Sequence, residues 1–185
     1  MITCTLRDKK YHIDFVSGRA LRELEPAAQM YAKVVHLSEL AAKGQSIPED
    51  AKFTISEAMD TMIRWFCILF QNQFTPDDVL DNYPVDRLMH DIALALMAVQ
   101  AQTTDVFSDF PTKAATTPAQ TPIVTLPDYI YSTYNALMES GWRFDDIDRM
   151  DMLGFLRIRA WDARREHKKK EPKRAYIDQV WPDLK

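Results

Sequence analysis

The chain has 185 residues, of which 46% are hydrophobic, enough for one ordinary core or for one core with a small satellite. Its two cysteines, Cys4 and Cys67, lie far apart with no CxxC partner, so the sequence suggests neither a disulfide framework nor a structural zinc site and favours a reducing, cytoplasmic setting. The amino terminus has no apolar signal core, and the most apolar run, residues 92–99, is too short for a bilayer, so secretion and membrane insertion are disfavoured.

The net charge of −4 is unevenly distributed. Residues 157–174 carry nine Lys or Arg and three Asp or Glu, a local charge of +6, so the rest of the chain is close to −10. The sequence therefore describes an acidic protein with a basic tail.

A β-hairpin is predicted first. Residues 2–15 alternate apolar and polar side chains on either side of a polar break at residues 8–10. Ser17 then offers a helix cap, and apolar residues recur at helical spacing over residues 21–37. Pro26 leaves two alternatives: it lies in the first turn of a helix that begins after Ser17, or it kinks one that begins there.

The second predicted helix, residues 55–70, is apolar over most of its circumference. Such a helix is either central in the core or lies at a contact between subunits. For a self-association contact, the candidate residues are Trp65, Phe66, Leu69 and Phe70.

Two further helices have clear start signals. Thr75 and Pro76, followed by Asp77 and Asp78, have the pattern of a capped helix with acids on the positive end of its dipole. Pro84 is expected to open a long helix. Its predicted buried edge comprises Val85, Leu88, Met89, Ile92, Leu96 and Val99.

Residues 109–126 form a predicted linker rich in threonine and proline. Prolines at 111, 118 and 122, with another at 127, disfavour helix and strand, so we expect the flanks to be held apart loosely. Beyond the linker, Pro127 and Asp128 start a helix that Gly141 closes, and Asp145 could cap a turn before a helix over residues 152–170. A final aromatic fragment occupies residues 176–182.

Catalytic and metal-binding patterns are weak. The acids Asp145, Asp146, Asp148 and Asp151 lack the glycine and distal glutamate of a calcium loop, so helix capping and solvation explain them better. The four histidines have no HxxxH spacing, and neither GxSxG, a P-loop nor GxGxxG occurs. We therefore expect no enzymatic activity, metal or cofactor.

The basic tail has three interpretations. Clustered cations can bind nucleic acid, which makes a nucleic-acid-binding regulator the alternative function. A cationic helix end favoured by the helix dipole is at least as good an explanation, and an acidic protein partner is the third.

The order of these parts resembles the tail assembly chaperones of tailed bacteriophages and prophages. The resemblance is carried by the hairpin, "FTPDDVLDNYP", the Thr/Pro linker, "YNALMESGWRFDDIDRMDMLGFL" and the ending "RREHKKK…YIDQVW". More narrowly, it is similar to the long, two-part form, in which a translational frameshift appends the carboxy-terminal domain. The junction would then fall within residues 109–126.

The resemblance implies a mainly α fold with a hairpin plus helical self-assembly domain at 1–108, a linker at 109–126 and a small helical partner-binding domain at 127–185. It implies a homo-oligomeric chaperone in the cytoplasm of the bacterial host, absent from the virion, that solubilises the tape measure protein and recruits tail tube subunits. Neither a membrane nor nucleic acid is an expected partner. Within the partner-binding domain, hydrophobicity selects candidates for tape measure binding: Trp142, Ile147, Met150, Met152, Phe155 and Trp161.

Overall fold

The computed structural model describes residues 2–46, 55–108 and 125–170. They form a two-stranded hairpin followed by helices, which confirms the predicted mainly α class. The strands are β1 (Ile2–Leu6) and β2 (Lys9–Ile13). The helices are α1 (Gly18–Arg22), α2 (Leu24–Ala42), α3 (Ile55–Leu69), α4 (Pro76–Asn82), α5 (Val85–Ser108), α6 (Leu126–Glu139), α7 (Phe144–Arg149) and α8 (Met152–Lys170).

The hairpin is antiparallel, with Ile2 opposite Ile13. Its turn is formed by Arg7 and Asp8, whose φ angles of 49° and 59° are the left-handed values of a tight two-residue hairpin turn. The turn therefore comes earlier than the expected break at residues 8–10, and both lysines that follow belong to β2. One face of the hairpin is buried against the helices.

Glu23 lies between the end of α1 and the start of α2, and this break decides between the two alternatives for Pro26. Ser17 caps the short helix α1, since its Oγ accepts a hydrogen bond from the Ala20 amide at 3.2 Å. Helix α2 begins at Leu24, so Pro26 lies in its first turn, where a missing amide donor breaks no helical hydrogen bond. The first alternative is correct.

Helix α3 is central. Its apolar circumference is enclosed by neighbouring elements, and the Phe66 ring lies 5.0 Å from that of Phe70 and 6.3 Å from that of Tyr83, centroid to centroid. The indole Nε1 of Trp65 donates a hydrogen bond of 3.0 Å to the Ala20 carbonyl oxygen. The sequence left open whether this helix lies in the centre of the core or at a contact between subunits, and in the structure it lies in the centre of the core.

Helices α4 and α5 follow the predicted signals, with one correction. A reciprocal capping box joins Thr75 and Asp78 at the start of α4. Five of the six residues predicted for the inner edge of α5 are buried or half-buried, but Val85 is 68% exposed. Val85 is the first residue of α5, one turn before Leu88, where the packing of this helix on the core begins.

The carboxy-terminal helices pack on α1. The Gly18 amide donates to the Met150 carbonyl oxygen at 3.1 Å, and the Met152 amide donates to the Val16 carbonyl oxygen at 3.3 Å. Buried side chains from both flanks of the linker share one hydrophobic core. The expectation of loosely held flanks is therefore wrong for the described residues, because α1 is covered by α6, α7 and α8.

The caps of these last helices differ slightly from the prediction. Thr125 caps α6 through a second capping box with Asp128, and Gly141, at φ +90°, ends that helix as expected. Asp145 lies in the first turn of α7 and is not its cap, whereas Asp151 Oδ1 accepts the Gly154 amide at the start of α8. The predicted linker up to residue 124 and the fragment at 176–182 lie outside the described residues.

Candidate partner-binding surfaces

Large apolar side chains remain exposed on both sides of the linker. Among the described residues, one group lies on α4 and α5, and the other lies between the start of α6 and the middle of α8. The first group is Leu80, Val85, Leu94 and Met97. The second group is Tyr131, Met138, Trp142, Phe144, Ile158 and Trp161.

The six candidates for tape measure binding fall into three environments. Trp142 and Trp161 are exposed, at 48% and 54%. Met150 and Phe155 are half-buried against the core. Ile147 and Met152 are fully buried, because they face α1 from α7 and α8, so these two side chains present no surface to a partner.

The four candidates for self-association all lie in the core. Trp65 and Phe66 are 1% exposed, and Leu69 and Phe70 are fully buried. Their apolar surface is covered by the hairpin and the neighbouring helices of the same chain. A contact between copies through these side chains stays a prediction and would require this core to open.

In the described part of the chain, two grooves have walls to which α6 contributes several side chains. The first, of about 380 Å³, lies where α1, α2, α5 and α6 meet, and its lining is mainly apolar. Its walls include Leu21, Leu24, Ala28, Leu126, Ile130 and Tyr131. The second, of about 390 Å³, lies between α6 and α8 and has a mixed lining that includes Tyr129, Ala136, Leu137, Trp142, Phe155 and Arg159. We call them the junction groove and the α6–α8 groove.

A polar cluster holds α7 and α6 against α1. Arg22 Nη2 lies 3.3 Å from Asp148 Oδ2, and the Tyr134 hydroxyl donates a hydrogen bond of 2.8 Å to Asp148 Oδ1. The Arg22 guanidinium also lies 4.8 Å from the centre of the Phe144 ring, within reach of a cation–π interaction. Burial, followed by the hydrogen bond to Asp148, raises the pKa of Tyr134, so the phenol stays a neutral donor.

The acidic segment 145–151 thus has structural roles at two positions. Asp148 binds Arg22 and Tyr134, and Asp151 caps α8. Asp145 and Asp146 are exposed. Within the described parts of the chain, no three His, Cys, Asp or Glu side chains are grouped closely enough to hold a metal ion.

Both cysteines are buried free thiols. Burial, with the nearby negative charges as a smaller cause, raises the pKa of Cys4 to about 12 and that of Cys67 to about 11. Because the thiolate is the nucleophilic form, neither side chain has the character of a reactive cysteine.

Three features of this region were not predicted from the sequence: the Arg22–Asp148 pair, the two grooves and the close contact at Gly18. The Arg22–Asp148 pair and the two grooves arise from contacts between distant segments, which no local pattern reports. Gly18 did carry a signal: glycine is unfavourable in a helix, and here an added Cβ would lie 2.3 Å from the Ile147 carbonyl oxygen.

Comparison with known families agrees with this architecture. Residues 1–115 match the family described as phage tail chaperone protein. The match covers more than half of the chain, and this protein therefore belongs to the phage tail chaperone family, as its resemblance predicted. The matched region contains the hairpin and α1 to α5, and it ends inside the predicted linker.

No curated protein and no solved structure matches the chain. In the described residues, no helix combines the length and the apolar character needed to cross a bilayer.

Proposed function

We propose that this tail chaperone binds the tape measure protein, keeps it soluble during tail assembly and helps to recruit tail tube subunits. It acts in the cytoplasm of the bacterial host and is absent from the finished virion. Membership of the phage tail chaperone family supports the assembly role. The division of labour between residues 1–108 and 127–185, and its origin in a frameshift, stay predictions.

The observation that carries the proposal is the pair of grooves beside α6. Each groove has an exposed aromatic residue in its wall, Tyr131 at the junction groove and Trp142 at the α6–α8 groove. Large exposed apolar side chains next to concave surfaces are typical of protein-binding sites. We place the tape measure contact across α6, with one apolar side chain of the client in each groove.

Weak binding at each copy is sufficient for this role. A long client offers many successive contacts, and linked contacts raise the overall affinity by roughly 10² to 10⁴ over that of a single one. The exposed Met138 and the half-buried Phe155 at this end of the molecule add apolar surface, and the flexible methionine tolerates variation in the client sequence.

The test is to fill each groove. Ala32 in the junction groove and Ala136 in the α6–α8 groove are both exposed, so a tryptophan there blocks a groove without entering the core. We expect Ala32→Trp and Ala136→Trp each to reduce recovery of the tape measure protein with the co-expressed chaperone several-fold, and the double variant to abolish it.

Ala41→Trp is the matched control, because Ala41 is exposed on α2 and lines neither groove. It should recover as much client as the unmodified chain. Full recovery by the folded double variant would contradict the proposed site, and failure of the unmodified chain to bind would contradict the proposed function.

For tail tube recruitment, we propose the exposed stripe of α5. Leu94 and Met97 are 51% and 65% exposed and lie one turn apart on the same helix face. Leu94→Ser with Met97→Ser should remove binding of the tube subunit and leave tape measure binding intact. Equal loss of both partners, or of neither, would show that this stripe is not the tube contact.

A further inference from the structure

We infer that copies of this chain bind one another through two surfaces of opposite charge, the turn between α4 and α5 on one copy and the outer face of α8 on the next. The inference rests on the proposed function in one respect: copies bound side by side along one long tape measure protein would contact one another. Each surface joins exposed apolar side chains to charges of a single dominant sign.

The first surface, the α4–α5 corner, is acidic and apolar. Leu80 and Val85 are 56% and 68% exposed there. Asp77, Asp81 and Asp86 are exposed around them, and none of the three forms an ion pair with another described residue. Two cations lie nearby: Arg87 is 3.8 Å from Asp91 and is thereby partly neutralised, and Arg7 of the hairpin turn acts on Asp78, which leaves the three exposed acids in excess.

Hydrogen bonds hold the backbone of the corner at both of its ends. The capping box of Thr75 and Asp78 fixes the start of α4, and hydrogen bonding lowers the pKa of Asp78, which keeps it ionised. At the other end, the buried Tyr83 donates a hydrogen bond to Asp91. A surface fixed at both ends loses little conformational entropy when a partner binds.

The second surface, the outer face of α8, is cationic and apolar. Ile158 and Trp161 are 62% and 54% exposed. Arg157 and Arg165 lie four residues before and after Trp161, on the same side of the helix, and the Arg165 guanidinium lies 5.4 Å from the Trp161 ring centre. Residues 157–166 carry four arginines against two acids.

Most of this face is separate from the proposed client site, and Ile158, three residues after Phe155, lies at the edge nearest to that site. Trp161 follows Phe155 by six residues, which places it about 120° around the helix axis from the wall of the α6–α8 groove. A single copy can therefore bind the client beside α6 and, at the same time, bind a second copy through the outer face of α8.

Charge selects the α4–α5 corner as the partner of α8. Residues 77–87 carry four acids against one arginine. On α7, the exposed Asp145 and Asp146 have Arg143 and Arg149 beside them, so that surface has no excess charge. The apolar stripe of α5, Leu94 and Met97, has no charged residue within one turn on either side except Asp91. Complementary charge sets partner choice and orientation, and the apolar side chains add contact area.

The test exchanges the charges in the full-length chain. Variant A carries Arg157→Glu with Arg165→Glu, and variant B carries Asp81→Lys with Asp86→Lys. Each variant alone would bring like charges together, so we expect self-association in sedimentation velocity to weaken by at least roughly tenfold. In a mixture of A and B, the acidic corner of A meets the cationic helix of B, and the lysine corner of B meets the glutamate helix of A. Mixing should therefore restore association.

Each outcome decides the inference. Loss in both variants with recovery on mixing supports it, as does recovery in one chain that carries all four changes. A chain that stays monomeric at every concentration, variants that associate like the unmodified chain, or a mixture that fails to recover would overturn it. Binding of nucleic acid by the unmodified chain but not by variant A, without self-association, would likewise overturn it. Circular dichroism shows whether each variant folds, and Trp161→Ser and Leu80→Ser provide uncharged replacements for a variant that does not.

Tape measure recovery separates this inference from the proposed function. A single copy retains its grooves in variants A and B, so the client should still bind, though with lower avidity. If the charge exchange fails while the client binds, only the contact between copies is wrong. If copies associate as inferred but no client binds, only the proposed client is wrong.

Discussion

Arg22 on α1 and Asp148 on α7 are 126 positions apart in the chain, and their side chains meet at 3.3 Å in a part-buried site. Side-chain exposure of 18% and 14% reduces screening of this pair by water. Tyr134 shares the same carboxylate, so one acidic side chain links α1, α6 and α7. Because α1 lies in the family-matched region and Asp148 outside it, this contact joins the two parts of the protein.

Asp148→Asn tests that link. The change removes the negative charge of Asp148 and leaves the largely buried Arg22 guanidinium with only its 3.4 Å pair to the more exposed Glu23. We expect the free energy of unfolding in urea to fall by about 1–3 kcal/mol. Asp146→Asn, an exposed position on the same helix, should change it by less than about 0.5 kcal/mol. Equal stability of the two variants would show that the pair contributes nothing.

Gly18→Ala tests the close packing of α1 against the carboxy-terminal helices. In an ordinary helix, replacing glycine by alanine stabilises by about 0.5–1 kcal/mol. Here the new methyl group would lie 2.3 Å from the Ile147 carbonyl oxygen, and overpacking costs about 1–3 kcal/mol, so we expect net destabilisation. Urea denaturation measures the sign, with Arg19→Ala at an exposed neighbouring position as the control. A stabilised Gly18→Ala variant would contradict the observed packing.

The variants Phe70→Ala and Trp161→Ala compare how much a buried and an exposed aromatic side chain contribute to the free energy of unfolding. Phe70 is fully buried among other rings, so its truncation should lower the free energy of unfolding by about 3–5 kcal/mol. Trp161 is 54% exposed, so the same truncation should change it by about 0.5 kcal/mol or less. Denaturant titration of both variants measures the difference. Similar losses at the two positions would mean that Trp161 packs inside the molecule.

The buried thiols predict a pH dependence of stability. The pKa of Cys4 is raised from 9.0 to about 12 and that of Cys67 to about 11, so both stay protonated in the native state when an unfolded chain begins to ionise. The unfolded state then binds fewer protons, and stability should fall as pH rises from 9.0 toward these values.

A chain with both cysteines replaced by alanine should lose less stability over that alkaline range, as measured by urea denaturation at a series of pH values. In mildly alkaline buffer, a thiol-specific reagent should modify the native chain far more slowly than the chain in urea. Rapid modification of the native protein would contradict the burial of both side chains.

The fold was largely predictable because its signals are local. The alternation in the hairpin, the cap at Thr75 and the glycine end at Gly141 each depend on neighbouring residues, and all three occur in the structure. Pro26 was ambiguous for the same reason: a proline is compatible with the first turn of one helix or the kink of another, and only the break at Glu23 decides.

The partner surfaces were harder to predict because hydrophobicity does not report which side chains are covered. Trp142 and Ile147 are five residues apart and equally plausible as contacts, yet one is 48% exposed and the other fully buried. Helix α7 has only six residues, too few for a periodic pattern to indicate its inner face. The wide apolar stripe with Trp65 and Phe70 suited a subunit contact, but the surrounding helices of the same chain enclose it.

The most direct test of the central claim is the amount of tape measure protein that stays in the supernatant after co-expression with this chain. We predict that the unmodified chain keeps it soluble, and that a folded variant with Tyr131→Ser and Trp142→Ser leaves most of it in the pellet. If that variant solubilises the tape measure protein as well as the unmodified chain does, or if the unmodified chain does not solubilise it, the account is contradicted.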